Sequence, residues 1–173
     1  MDKITAKKTQ IIQAITQYLI EDGLSDIGLR KLAAMAGTSD RMLIYYFETK
    51  DALIGAVLHS IAAGFVGQLD LLLGQHKRSR TVLLEELLAL GNSPQFYAVI
   101  QLWFEVVGLA ARGQEPFLTN ATEIAANWLQ WIESRMEVSQ PNDAIALFAE
   151  LEGRLMLKLL AVTEKGSNAS VTG

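Results

Sequence analysis

Cysteine is absent from the 173 residues, which excludes disulfides, thiolate nucleophiles and cysteine metal sites. Only three prolines occur, and apolar and polar residues nowhere alternate strictly, so helix is the default reading. The two histidines, His59 and His76, stand far apart with no carboxylate at ligand spacing, so neither a metal nor a cofactor is expected. No serine or histidine sits in a local nucleophile signature, and the chain is not expected to be an enzyme. No stretch approaches a charge-free membrane span. The opening MDKITAKKTQIIQAITQYLI is charged and amphipathic, without the apolar core and small-residue cleavage site of a signal peptide. The glycosylation triplets at Asn120 and Asn168 therefore read as chance matches. A soluble, cytoplasmic protein with no membrane partner is the expectation.

What the chain does have is apolar surface to bury. Half of it (50%) is hydrophobic, enough for a core in one domain or two small ones. The net charge of -4 is unevenly spread: residues 1–50 hold seven Lys/Arg against six Asp/Glu, and residues 51–173 hold eight against thirteen. The acid lies mostly outside the N-terminal third, and local charge governs contact with phosphate.

Apolar periodicity and stop signals divide the chain into eight helices. The first spans about 5–21, with Ile11, Ile15, Tyr18 and Leu19 on one face, and Gly23 ends it. Gly28 stands as N-cap of a short segment at 29–36, and Gly37 allows a tight left-handed exit. Ser39 caps a second short segment at 40–47, whose Asp40 suits the helix dipole. Thr49 restarts a helix running to about residue 73. After the loop GQHKRSR, read as a solvated turn, come helices at about 81–90, 94–112, 115–137 and 142–164. The polar ending KGSNASVTG reads as disordered.

Two short helices joined by a glycine-containing turn make a helix-turn-helix, here at about 28–47. Leu32, Ala33, Leu43 and Phe47 would hold the pair together, leaving Ser39, Asp40, Arg41, Met42, Tyr45 and Tyr46 on or near the outer surface. Such a helix fits the major groove, with its N-terminal residues against base edges. A plain helical hairpin used as scaffold remains the alternative.

The run IIQAITQYLIEDG followed by LRKLAAMAGTSDRMLIYYFETKDAL resembles the N-terminal domain of the tetracycline-repressor (TetR) family of transcriptional regulators, over residues 8–53. Tyr45, Tyr46, Phe47, Lys50 and Leu53 match the closing aromatic, lysine and leucine pattern of that domain. Gly28, Thr38 and Ile44 depart from the family's usual threonine, aliphatic and tyrosine. The resemblance implies an all-α protein with a helix-turn-helix DNA-binding domain at 1–50, a helical effector-binding and dimerisation domain at 51–165, and a tail at 166–173. It implies a DNA-binding regulator, in our reading a repressor released from a palindromic operator by a small-molecule effector. In that reading Arg41 reads a base or clamps a phosphate, since bidentate guanidinium to guanine is the commonest specific contact. Ser39, Tyr45, Tyr46 and Lys50 position the DNA backbone, unless the tyrosines merely pack in the hairpin. Lys3, Lys7 and Lys8 either reach phosphate or form a solvated helix start.

In the helix at 94–112, Gln101, Glu105 and Arg112 form a polar line among apolar residues. The line either faces solvent or faces a cavity where Gln101 and Glu105 orient an effector against Phe65, Trp103 and Phe104. The last helix is apolar over more than half its circumference, wider than a one-sided surface helix needs. Trp128, Phe148, Leu151, Gly153, Leu155 and Leu159 are therefore the expected homodimer contacts, with burial inside one subunit as the alternative. Two rival readings remain: a helical protein–protein module whose reader has lost DNA affinity, and a ligand-carrying bundle.

Overall fold

The computed structural model describes residues 3–25, 27–137, 140 and 142–161. Among them the chain forms α1 (Lys3–Asp22), α2 (Leu29–Met35), α3 (Asp40–Phe47), α4 (Lys50–Leu73), α5 (Arg80–Gly91), α6 (Pro94–Ala110), α7 (Phe117–Arg135) and α8 (Asp143–Leu159), and no strand. The expected fold class is the observed one, and the expected elements match to within a few residues. The largest difference is α8, described as ending at Leu159 where the apolar pattern ran on to about 164. The expected tail at 166–173, with Asn168, lies outside the described residues.

Several starts and stops have a local cause. Ser39 Oγ accepts the backbone N–H of Met42 at 3.4 Å, and Thr49 Oγ1 accepts that of Ala52 at 3.0 Å, so side chains satisfy N–H groups that a helix start leaves unpaired. Gly37 has φ +60, a conformation that glycine adopts without a Cβ clash. It allows the Thr38 N–H to return to Ala33 O at 2.9 Å and close α2. Proline stands at the start of α6, where its missing N–H costs nothing.

Two apolar clusters build the interior. The first joins Ile11, Ile15 and Leu19 of α1 to Leu32, Leu43 and Phe47 of the short helices and to Leu53, Val57 and Ile61 of α4. It also draws in Leu102 and Val106 of α6 and Ile124 of α7, so apolar packing runs on past the expected domain boundary at residue 50. The second cluster packs Leu69 of α4 with Leu83, Leu87, Ile100, Ile132 and Leu147 from α5 to α8. Three helices, α4, α6 and α7, enter both. By length and composition α4 is also apolar enough to cross a membrane, which corrects the expectation that no stretch approaches a span. Leu53, Ile54, Val57, Leu58, Ile61 and Leu69 of α4 are buried in these clusters, whereas Leu71 and Leu72 at its end are exposed.

The turn read as solvated is held on one side. Arg78 is 5% exposed; its guanidinium donates to Leu73 O and to His76 O and pairs with Glu86. Its backbone bridges Met136, with Arg78 N–H to Arg135 O at 2.8 Å. The arginine thus caps the last carbonyl of α4 and ties the turn to the end of α7. Asn120 is likewise buried, its amide donating to Pro116 O at 2.6 Å. A Cβ on Gly55 would lie 2.8 Å from Asn120 Oδ1, so that glycine sets the approach of α4 to α7.

Candidate nucleic-acid interface and ligand cavity

On α3, Leu43 and Phe47 turn inward, and Ser39, Asp40, Arg41, Ile44 and Tyr45 are exposed. The inward pair lies four residues apart, which places both on one face of the helix and leaves the other open. Met42 is half-buried. Tyr45 is 64% exposed, and Tyr46 stands edge-on to it at 5.1 Å while packing against the first core cluster. The two tyrosines therefore divide the roles expected of them: Tyr46 packs and Tyr45 projects. Glu48, at φ 67, makes the sharp corner after α3 and is followed at once by the Thr49 cap and by Lys50, the first residue of α4. Lys50 thus sits at a helix N-terminus whose free N–H groups favour an anion. Lys8 lies over the Phe47 ring at 5.6 Å and Lys31 over that of Tyr18 at 5.1 Å. Gly28 offers no side-chain cap to α2, and Ile44 is on the outer surface.

A cavity of about 100 Å³ opens between α4, α5, α6, α7 and α8. Phe65, Trp103 and Phe104 line it, as expected from the sequence. Gln101 and Glu105 do not. They face a separate cleft formed with Glu21, Asp22 and Gly23 at the end of α1. The physical reason is helix phase: positions 101 and 105 share a face, and positions 103 and 104 lie on another. Glu105 has a specific partner there, accepting the backbone N–H of Leu24 at 2.8 Å. Contrary to the expectation from sequence, Gln101 and Glu105 therefore do not share one cavity with Phe65, Trp103 and Phe104.

In their place the cavity holds Glu152 of α8, which accepts the indole N–H of Trp103. Burial pushes the Glu152 carboxyl above the usual carboxylate range, and the hydrogen bond from Trp103 works in the opposite direction. A sequence signal for this residue existed. Phe148, Leu151, Glu152 and Leu155 recur at intervals of three, one and three, so the glutamate falls on the apolar stripe of α8.

The residues expected at a dimer contact divide in the same way. Trp128, Phe148, Leu151 and Leu155 line the cavity, and Leu159 packs on the second cluster. Trp128 is held among rings, 5.3 Å from Phe65, 5.6 Å from Trp131 and 6.4 Å from Phe148. Leu151 is buried, whereas Trp128, Phe148, Leu155 and Leu159 are half-buried, so they pack within the protomer while keeping part of their surface open. Gly153 differs: nothing lies within 4 Å of a Cβ built on it. Ile145, Met156 and Leu157 of α8, Leu160 just after it, and Leu118 of α7 are exposed large apolar residues.

Outside cavity and reader, His59 meets Glu123 at 3.0 Å, an ordinary polar pair between α4 and α7. Asp70 accepts from the Trp131 indole at 2.8 Å and pairs with Arg135 at 2.6 Å. Hydrogen bonds from Arg135 and then Trp131 hold its carboxyl below the usual range.

Comparison with known proteins matches this geometry. Residues 11–57 match the family model of bacterial regulatory proteins, tetR family. No curated protein matches the chain. Among solved structures, a protein described as a TetR-family transcriptional regulator from Rhodococcus sp. superposes with a TM-score of 0.68 at 18% identity, covering 92% of this chain and 90% of that one. A TetR transcription regulator from Haloarcula marismortui does so with a TM-score of 0.67 at 20% identity, over 91% and 88%. The multidrug binding protein EbrR, complexed with imidazole, gives 0.54 at 23% identity, over 93% and 84%. The family sequence pattern covers the helices that build the exposed α3, and the shared fold covers nearly all the rest. Residues 11–57 thus carry the sequence pattern of the tetR family of bacterial regulatory proteins, and the chain shares its fold with solved structures described as TetR-family regulators.

Proposed function

We propose that this protein is a homodimeric repressor that binds a palindromic DNA operator and is released from it by a small molecule. One observation carries the reading: α6 is in contact with both candidate sites at once. Its Trp103 and Phe104 line the cavity, and Glu105 on its other side holds the turn that follows α1. A molecule entering the cavity therefore pushes on the helix that steadies the reader domain, taken as residues 1–50. EbrR, a relative in fold, is described as complexed with imidazole, which supports a small ligand for this architecture.

In this reading Arg41 meets a base edge, while Ser39, Tyr45 and Lys50 fix the register on phosphates. Asp40 either accepts from a cytosine amine or serves only the helix dipole. Two α3 helices, one per protomer, must lie about 34 Å apart or a multiple of it to enter successive major grooves on one side of a duplex. The dimer would form through the outer face of α8, where Ile145, Ala149, Gly153, Met156 and Leu160 make one stripe, joined by Leu118 of α7. An effector that binds the mis-spaced dimer more tightly lowers operator affinity by linkage.

The test is selection of duplexes from a random pool, followed by titration of the retained sequence. Enrichment of an inverted repeat bound by two chains, with affinity falling steeply as salt rises, is the expected result. A pool without enrichment, or retention insensitive to salt, would reject the DNA reading.

A further inference from the structure

Of all the side chains lining the cavity, Glu152 is the one that carries a charge; the others are apolar or aromatic. Among the described ion pairs none involves Glu152, and its only described polar partner is the Trp103 indole. One N–H leaves most of a carboxylate's acceptor sites unfilled. An unpaired carboxylate facing apolar walls is costly, and burial already raises its pKa. Around it stand Phe65, Trp103, Phe104, Trp128 and Phe148, whose ring faces carry the negative side of the aromatic quadrupole. Rings and carboxylate thus favour the same sign of ligand.

On the reading of this cavity as an effector site, we propose that its ligand is a compact organic cation. It would be one ring or a branched alkyl group bearing a single positive charge, held against Glu152 with its carbon surface on the aromatic side chains. Three features select that class. An anion would meet the carboxylate head-on. A neutral hydrocarbon would fill the walls but leave Glu152 unpaired. A strongly hydrated metal ion would find one carboxylate and no further oxygen ligand, against the six to eight that a hard cation takes. Size follows from volume: an apolar cavity of about 150 Å³ accommodates benzene, and this one is about 100 Å³. A single ring is therefore near the upper limit unless side chains move.

A matched pair of probes tests the charge alone. N-methylpyridinium and toluene have nearly the same shape, and only the first is a cation at every pH. Their binding to the full chain can be followed by calorimetry and by quenching of indole emission. The expected result is tighter binding of N-methylpyridinium, by roughly tenfold or more, as desolvated cation–aromatic contacts would give. Glu152→Gln should abolish that preference while leaving toluene binding intact, its thermal melt showing that it folds. Toluene bound as tightly as, or more tightly than, the cation in the wild-type protein would overturn the cation assignment and leave the cavity standing. Binding of neither probe would overturn the effector cavity itself, and the cation with it. An unchanged cation preference in Glu152→Gln would place the charge recognition elsewhere and equally overturn the proposal.

Discussion

Glu105 and Leu24 are 81 residues apart in sequence, yet the glutamate carboxylate accepts the Leu24 backbone N–H at 2.8 Å. The bond crosses from α6, whose next face lines the cavity, to the turn that closes α1. A Cβ on Gly23 would come within 2.7 Å of the same carboxylate, so the contact depends on a glycine as well as on an acid. Glu105→Ala should cost about 1 kcal/mol of stability, a charged hydrogen bond discounted for its exposure. Operator affinity should survive, because the apolar packing of α1 on α2, α3 and α4 remains. Release by effector should need more ligand than in the wild type. Fluorescence anisotropy of labelled operator reads both quantities, and wild-type release from the variant would break the proposed coupling.

Arg41→Ala should weaken operator binding by about 1–3 kcal/mol and relax base preference at one position in each half-site. Lys50→Ala should weaken all duplexes alike and make the salt slope shallower by roughly one per protomer. Titrations at several salt concentrations separate these outcomes. If both variants behaved as wild type, α3 would not be the reading element.

Gly153→Leu should act on assembly alone. A Cβ at this position meets no neighbour in the protomer, and leucine gains up to about 1 kcal/mol of helix propensity over glycine. Between two copies the same side chain would overpack, at about 1–3 kcal/mol per site and twice over by symmetry. Sedimentation should therefore show a shift to monomer with unchanged helicity and an unchanged or higher thermal midpoint. A wild-type dimer would move the interface off this stripe.

Asp70 links α4 to α7 through Trp131 and Arg135, and Arg135 also lies over the Trp131 ring at 5.3 Å. Because Asp70 has a lowered pKa in the folded protein, its contribution is present above the ordinary carboxylate range. That contribution is lost as pH falls through the folded value. Asp70→Asn should accordingly lower stability by about 1 kcal/mol near neutrality, with the discount a partly exposed ion pair requires. The gap from wild type should close in acid. Urea melts across this range check the sign, and a gap that widened in acid would contradict it.

Much of this molecule was legible from local chemistry. Helix starts at Ser39 and Thr49, the exit at Gly37 and the proline opening α6 follow from groups a few residues apart, so spacing alone located them. The same locality made the reader visible: Leu43 and Phe47 must turn inward on a two-turn helix, and Arg41 and Tyr45 must then turn out. The cavity was half legible. Phe65, Trp103 and Phe104 were found because large aromatics need burial, whereas Gln101 and Glu105 were assigned there because a polar line on an apolar helix has two possible neighbours. Only the packed structure chose between them, setting that face against the turn after α1 and the other around the cavity. It also turned Trp128, Phe148, Leu151 and Leu155 inward and buried Arg78. Periodicity establishes that a helix has an apolar stripe, but the partner of that stripe is set by how helices distant in sequence pack. Glu152 could be seen on its stripe, but only the rings brought around it from α4, α6 and α7 make it the charge of the proposed binding site.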